Sequence, residues 1–186
     1  MPQGRLFLLT GTSGAGKTTV ARELLKRHTN LRRVITYTTR APRKGEVDSV
    51  SYHFDDEPAF QRMIGEGAFF EWANVYNNLY GETKADVDGL LAEGFHVLLV
   101  LDPQGAKTIK ASGFPATAIF LDAPDDAIIR RLKDRGKDDE ASIQKRIKDM
   151  AFDRSHIKAC DHVIKNEEGR LETTIKQIEK IMYHLT

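Results

Sequence analysis

Gly11-Thr12-Ser13-Gly14-Ala15-Gly16-Lys17-Thr18 is the stretch on which the reading of this chain turns. It has the form G-x-x-x-x-G-K-[ST], a loop whose backbone N–H groups cradle phosphate. The flanks supply the context such a loop needs. Arg5-Leu-Phe-Leu-Leu-Thr10 ahead of it is a short run of large apolar residues, the pattern of a buried strand. Thr18 to His28 behind it places Val20, Ala21, Leu24 and Leu25 on one helical face. Gly11, Gly14 and Gly16 let the loop amides turn inward, and the helix N-terminus adds to the anion cradle. Lys17 brings a positive charge to the β- and γ-phosphates, and Thr18 a hydroxyl to Mg²⁺. The expectation is a bound nucleoside triphosphate with Mg²⁺. The loop by itself leaves open what receives the phosphate.

Bulk properties narrow the choice. The chain has 186 residues, 40% hydrophobic and 30% charged, which suits one soluble domain with a sizeable core. A net charge of +1 gives no global basic field, so a nucleic acid polymer is not expected as a partner. The lone Cys160 excludes an internal disulfide and a cysteine zinc site, and it reads as a small apolar residue. The six histidines do not cluster at metal-ligand spacings. No apolar run approaches the ~20 residues that span a membrane. Met1 to Arg5 leads straight into the first strand without a signal peptide, so a cytoplasmic protein is expected.

Strand and helix patterns alternate along the chain, which predicts a parallel sheet covered by helices. Leu31 to Thr38 reads as one strand, followed by a loop to Glu46 that holds Arg40, Arg43 and Lys44. Arginine forks suit phosphate oxygens, and a triphosphate loop in the same domain favours that role over a merely solvated loop. Val50 to Phe54 alternates like a half-buried strand. A helix follows, with Asp56 as its cap and Pro58 in its first turn. Ala68 to Tyr76 and Leu79 to Thr83 form a hairpin-like pair around Asn77-Asn78, and Asp86 to Glu93 is a short helix ended by Gly94.

Phe95 to Asp102 is the most buried-looking strand, and it ends in an acid. Asp102 has two open readings: assisting Mg²⁺ at the carboxyl edge of the sheet, or capping the next helix. Ala116 to Leu121 is another core strand. The segments 125–136 and 140–157 are helical, with Arg131 and Arg135 on one face and Arg146 near the edge of the second. Two basic helices joined by a polar break resemble a lid that closes on phosphates. His162 to Asn166 is the last strand, and Leu171, Ile175, Ile178, Met182 and Leu185 form the core stripe of a final helix.

Taken together, Thr38-Thr-Arg-Ala-Pro-Arg-Lys-Gly-Glu46 and Tyr52-His-Phe54 resemble the signature of the guanylate kinases. Gly67 to Ala73, Tyr80-Gly81, Asp102 to Gly105, Arg131 to Gly136 and Asp161 to Asn166 follow in the family's order, so the resemblance covers nearly the whole chain. It implies a phosphate-loop NTPase-type α/β fold: one domain over 1–186, with a core at 1–32, 94–124 and 158–186, a mixed-sheet GMP-binding region at 33–93 and a helical lid at 125–157. The implied reaction moves the γ-phosphoryl of ATP to GMP, giving ADP and GDP, in purine nucleotide metabolism, with dGMP as a further acceptor and the protein a monomer or a homodimer.

Matching positions carry the family's roles. Gly11, Thr12, Ser13, Gly14, Ala15, Gly16, Lys17, Thr18 and Thr19 would hold ATP, with Asn166 near its adenine. Arg40, Arg43, Tyr52 and Tyr80 would hold the GMP phosphate, a dianion suited to two forked cations and two phenols. Glu71 would accept the N1–H and N2–H₂ of guanine, where adenine would present a lone pair. Asp102 would meet the guanine amino group, or the metal shell through water. Arg131, Arg135 and Arg146 would gather on the transferring group beside Lys17 and Arg43. Thr36 stands where the family usually has Ser and keeps the hydroxyl, and Ser49 replaces a usual Gly. Glu82 stands where a hydroxyl usually meets guanine O6. The expectation is that Glu82 turns outward while Thr83 or Thr36 serves, the other reading being a loosened base preference.

Overall fold

The computed structural model describes residues 4–43, 45–75, 77–134 and 140–183. Lys44, Arg135 and Leu185, singled out above, lie outside the described residues. The chain divides into two units, one formed by Arg32–Val97 with the start of the chain up to Arg5, the other by Leu6–Leu31 and everything from Leu98 onward.

The second unit is built on the phosphate loop. Strand β1 (Leu6–Gly11) is buried along its whole length, as its continuous apolar run requires. Helix α1 (Lys17–Arg27) follows the loop and buries Val20, Ala21 and Leu24. Strand β8 (Ala116–Asp122) lies parallel to β1, Leu6 opposite Ala116 and Gly11 opposite Leu121, and β9 (His162–Lys165) lies parallel to β8. With β2 (Leu31–Arg33) and β7 (His96–Val100) they make a five-stranded sheet in the order β2-β7-β1-β8-β9. Helix α4 (Pro103–Ala111) starts from an Asp102 cap whose carboxylate accepts the Gly105 N–H at 2.8 Å. Helices α5 (Asp125–Asp134) and α6 (Glu140–Ser155) follow β8, and α7 (Leu171–Tyr183) closes the unit. The core joins Phe7 and Leu9 of β1 to Ile119 of β8, Ile128 of α5 and Ile175 and Ile178 of α7. Replacing any of these large side chains by Ala costs about 2–5 kcal/mol.

The first unit is a four-stranded mixed sheet in the order β4-β3-β6-β5. Its strands are β3 (Tyr37–Thr38), β4 (His53–Phe54), β5 (Phe69–Val75) and β6 (Asn78–Thr83). The segment 31–38, expected as one strand, is two: β2 belongs to the five-stranded sheet and β3 to this one, with Val34 to Thr36 between them. Local β-propensity marks both halves alike and carries no information on which partner each finds. The expected strand over 50–54 is likewise shortened to its last two residues. A turn carries Ser49 at φ 59°, so the residue standing in a usual glycine position does take the left-handed backbone.

Helix α2 (Glu57–Gly65) starts at the Asp56 cap, whose side chain accepts the Ala59 N–H at 2.7 Å. Phe60 of α2, Phe69 and Leu79 form a small core, with the Phe60 and Phe69 rings stacked at 4.3 Å. Helix α3 (Lys84–Ala92) runs on directly from β6. Among the described residues no helix is long and apolar enough to cross a membrane.

Candidate active site

The loop's geometry follows from two of its glycines. Gly11 has φ 137°, and a Cβ there would lie 1.9 Å from the Leu121 carbonyl oxygen, so the tight approach of β1 to β8 admits no side chain. Gly16 has φ 100° and caps α1; a Cβ there would lie 2.5 Å from the Asn166 side-chain nitrogen. Lys17 heads α1 and folds back over the loop, its Nζ donating to the Gly11 carbonyl at 2.6 Å and the Thr12 carbonyl at 3.0 Å. Thr18 and Thr19 are exposed on the first helical turn. Thr12 points inward instead: it is fully buried, and its hydroxyl donates to Asp122 at 2.8 Å.

Three side chains from the far end of the sequence fasten this loop. Asn166, 6% exposed, donates from Nδ2 to the Ala15 carbonyl at 2.8 Å and accepts at Oδ1 from the Thr174 hydroxyl at 3.0 Å. Its side chain thus holds the loop from both ends of its amide, a positioning task. Arg131 of α5 donates to the Ala15 carbonyl at 3.3 Å and the Asn166 carbonyl at 3.2 Å. Arg146 of α6 donates to the Ser13 hydroxyl at 2.8 Å. The structure therefore brings Lys17, Arg131, Arg146 and Asn166 onto one loop.

Asp153 joins them and was missed from sequence. Its carboxylate accepts the Ser13 N–H at 3.2 Å, one of the loop donors. Burial pushes its carboxyl above the usual aspartate range, against the pull of the Ser13 N–H and Lys17; nearby Asp149 and Asp102 push the same way. The available signal was spacing, since Arg146, Met150 and Asp153 fall at i, i+4 and i+7 on one face of α6. The neighbouring Arg154 grips Asp122 through Nε and Nη2 at 3.1–3.2 Å and Asp125 at 2.6 Å, which ties α6 to β8 and α5.

In the other unit, strand alternation sorts the polar residues from the apolar ones. Tyr80 pairs with Thr38 and Ala73, and Glu82 pairs with Glu71, so Tyr80, Glu82 and Glu71 share one face. Leu79, Gly81 and Thr83 point to the opposite face, toward Phe69 and the α2 core. Thr83, expected to contact GMP, is therefore turned away. Its hydroxyl caps α3, accepting the Asp86 N–H at 3.2 Å and donating to the Asp86 carboxylate at 2.5 Å. Glu82 does not turn outward as expected. It is 4% exposed and accepts the Thr36 hydroxyl at 2.8 Å.

A bulge at Phe70 sets the pairing. Phe69 opposes Thr83, and the register then slips by one so that Glu71, itself 8% exposed, opposes Glu82 rather than Gly81.

Arg40 is a fixed cation of this unit. Its Nη2 donates to Glu46 at 3.0 Å and its Nη1 donates to the Ala41 carbonyl at 2.6 Å, with the Tyr80 phenol beside it. Glu46, with Tyr80 second, holds the guanidinium above its usual range. Glu46 also accepts the Arg43 N–H at 2.7 Å, so one carboxylate shapes the loop that carries both arginines. The Arg40 guanidinium lies 5.3 Å from the Tyr52 ring, and the Tyr52 and Tyr80 rings are 6.2 Å apart. The Arg43 side chain is exposed. Arg40, Tyr52 and Tyr80 thus form one group, with Glu71 and Glu82 on the strands beside it and Thr36 just ahead of β3.

A glycine-rich loop between a buried parallel strand and a helix, with its lysine and two arginines drawn over it, defines a phosphate-loop nucleotide-binding protein. Comparison with known proteins narrows this to one family. The guanylate kinase family model matches residues 3–185. A curated guanylate kinase of Zymomonas mobilis is 38% identical over 182 residues, 97% of this chain and 83% of that protein. One from Carboxydothermus hydrogenoformans is 39% identical over 186 residues, 98% of this chain and 89% of that protein. The crystal structure of guanylate kinase from Anaplasma phagocytophilum superposes with a TM-score of 0.77 at 32% identity, covering 98% of this chain and 86% of that one. The chain belongs to the guanylate kinase family.

Proposed function

We infer that this protein transfers the γ-phosphoryl group of ATP to GMP, yielding ADP and GDP. The observation that carries the reading is the polar face of the four-stranded sheet. It holds a fixed arginine–tyrosine group at one end and the buried Glu71 carboxylate at the other. A nucleoside monophosphate presents matching chemistry, a dianion at one end and a base at the other.

ATP takes the loop 11–19. Its phosphates draw Lys17 from the Gly11 and Thr12 carbonyls and meet the loop amides. Arg131 and Arg146, already at the loop, neutralise charge on the transferring group, together with Arg135. Mg²⁺ fits the donor set. The exposed Thr18 hydroxyl is a hard oxygen ligand, Asp102 stands at the end of β7 for a water-mediated contact, and magnesium with a nucleotide needs only one or two protein oxygens. When bound it neutralises charge on the β- and γ-phosphates.

Arg40, Arg43, Tyr52 and Tyr80 hold the acceptor phosphate, and Glu71 accepts guanine N1–H and N2–H₂. A phosphate oxygen of GMP attacks the γ-phosphorus while the bond to the β-phosphate oxygen breaks. The attacking oxygen is already anionic, so positioning and charge neutralisation suffice without a general base. The setting is the cytoplasm, in purine nucleotide metabolism, with the protein a monomer or a homodimer.

A coupled ADP-release assay with ATP and Mg²⁺ tests this, run separately with GMP, dGMP, AMP, UMP and CMP. Turnover confined to guanine nucleotides is expected. Equal turnover with all five would remove base reading by Glu71, and none with any would remove the kinase reading.

A further inference from the structure

Helix α6 brings Arg146 to the phosphate loop, and where that side chain sits depends on how the helix is held. The hold lies at the other end of α6. About two turns on from Arg146, roughly 12 Å along the axis, Arg154 reaches out to β8 and α5. Its Nε donates to both Asp122 oxygens at 3.1–3.2 Å, and its Nη2 to Asp122 Oδ1 and the Ala123 carbonyl at 3.1 Å. Nη2 also meets Asp125 at 2.6 Å. We propose that Arg154 is a positioning residue for phosphoryl transfer, the pivot that sets Arg146 over the loop. The inference rests on the reading of Arg146 given above.

Asp122 makes this grip a point of reference for the loop as well as for the helix. The Oδ1 atom that meets Arg154 also accepts the hydroxyl of the fully buried Thr12 at 2.8 Å. Its backbone carbonyl accepts the Asn166 N–H at 2.7 Å, and the Asn166 amide in turn holds Ala15. Loop and helix are therefore fastened to one residue at the end of β8. The side chains of Asp122 and Arg154 are 16% and 29% exposed, so this forked, charge-assisted contact is largely shielded from water.

The rest of α6 does less to fix its tilt. Ile143 and Met150 lie in the core, where apolar contact keeps the helix on the unit without giving it a direction. Asp153 adds a single bond, from the Ser13 N–H at 3.2 Å. The helix then acts as a lever: a rotation of about 5° at the Arg154 end moves the Arg146 backbone by about 1 Å. Arg146 now donates to the Ser13 hydroxyl at 2.8 Å, a contact that such a shift breaks. A misplacement of about 1 Å costs as much as a hundredfold in rate where a reacting group must be positioned.

The test measures the single-turnover rate of transfer from ATP to GMP with Mg²⁺, together with KM for GMP. It compares the wild type, Arg154→Met, Arg154→Lys, Arg146→Met and the two double variants. Arg154→Met is expected to slow transfer at least about fivefold while KM for GMP moves less than about threefold. Arg154→Lys keeps the charge and loses the fork, so a loss of at least about fivefold is expected there too. In the Arg146→Met background either change should cost less than about twofold, because the side chain being positioned is gone. A loss of about twofold or more in that background overturns the proposal, since a general structural lesion adds to the loss of Arg146. A smaller loss than about fivefold in Arg154→Met also overturns it, and so does one in Arg154→Lys, which would leave charge alone as the role. If Arg154→Met does not fold, the lysine variant and its double decide. Any of these negative results, with GMP still turned over, leaves the kinase reading standing while the role of Arg154 falls. An Arg146→Met protein at the wild-type rate removes the role of Arg146 and the inference with it, and a wild type without turnover removes the kinase reading as well.

Discussion

Asn166→Ala isolates the strut beneath the phosphate loop. The change removes the amide donor to the Ala15 carbonyl, leaving that oxygen with the longer Arg131 contact of 3.3 Å, and it removes the acceptor of Thr174, a hydroxyl only 1% exposed. Each buried polar group left without its partner costs about 1–3 kcal/mol, so the pair should cost about 3–4 kcal/mol. For a chain of this size 1 kcal/mol moves Tm by about 2–4 °C, so a drop of about 10 °C is expected. Thr174→Val removes only the second bond together with its hydroxyl, and should cost about half as much. The two differ in function as well. Asn166→Ala frees the loop and should raise KM for ATP severalfold, whereas Thr174→Val leaves the amide on Ala15 and should not. Thermal unfolding and ATP titration of both variants and of the double variant check this. An Asn166→Ala protein within about 3 °C of wild type, with unchanged KM for ATP, would refute the strut.

Three further outcomes are expected. Lys17→Met keeps the helix former and removes the charge, so kcat/KM for ATP should fall at least about a hundredfold while the circular dichroism spectrum is unchanged. Arg40→Lys loses the fork that meets Glu46 and Ala41, and KM for GMP should rise about tenfold or more with little change in KM for ATP, as initial-rate kinetics will show. Asp153 has a raised folded-state pKa, so its contribution to stability is full below the ordinary aspartate range and is lost as pH rises through the raised value. Asp153→Asn does not titrate, so the Tm of the variant minus that of the wild type should grow more positive from pH 4 to pH 8; a difference flat with pH would remove the burial argument.

What was legible in the sequence shares a property: it is local. Asp56 and Ala59, or Gly16 and Lys17, are close along the chain, and short-range sterics and hydrogen bonds decide them. What was missed depends on partners far away. Asp153 stands 140 residues from Ser13. Thr83 follows Gly81 by two residues, and Leu79, Gly81 and Thr83 share one face by the simple period of a strand. Counting from Tyr80 would have turned Thr83 away and Glu82 inward.

By itself, the sequence determined the phosphate loop, the buried strands that frame it, the apolar stripes of α1 and α7 and the family, because periodicity and motif spacing are properties of neighbours along a chain. Tertiary structure alone decided that residues 31–38 serve two sheets, that Asn166 is a strut, and that a one-residue slip at Phe70 sets Glu71 against Glu82. The physical reason is that strand pairing has a period of two. A single inserted residue exchanges every face beyond it, and that insertion is fixed by the partner strand and the core beneath rather than by the residues it moves.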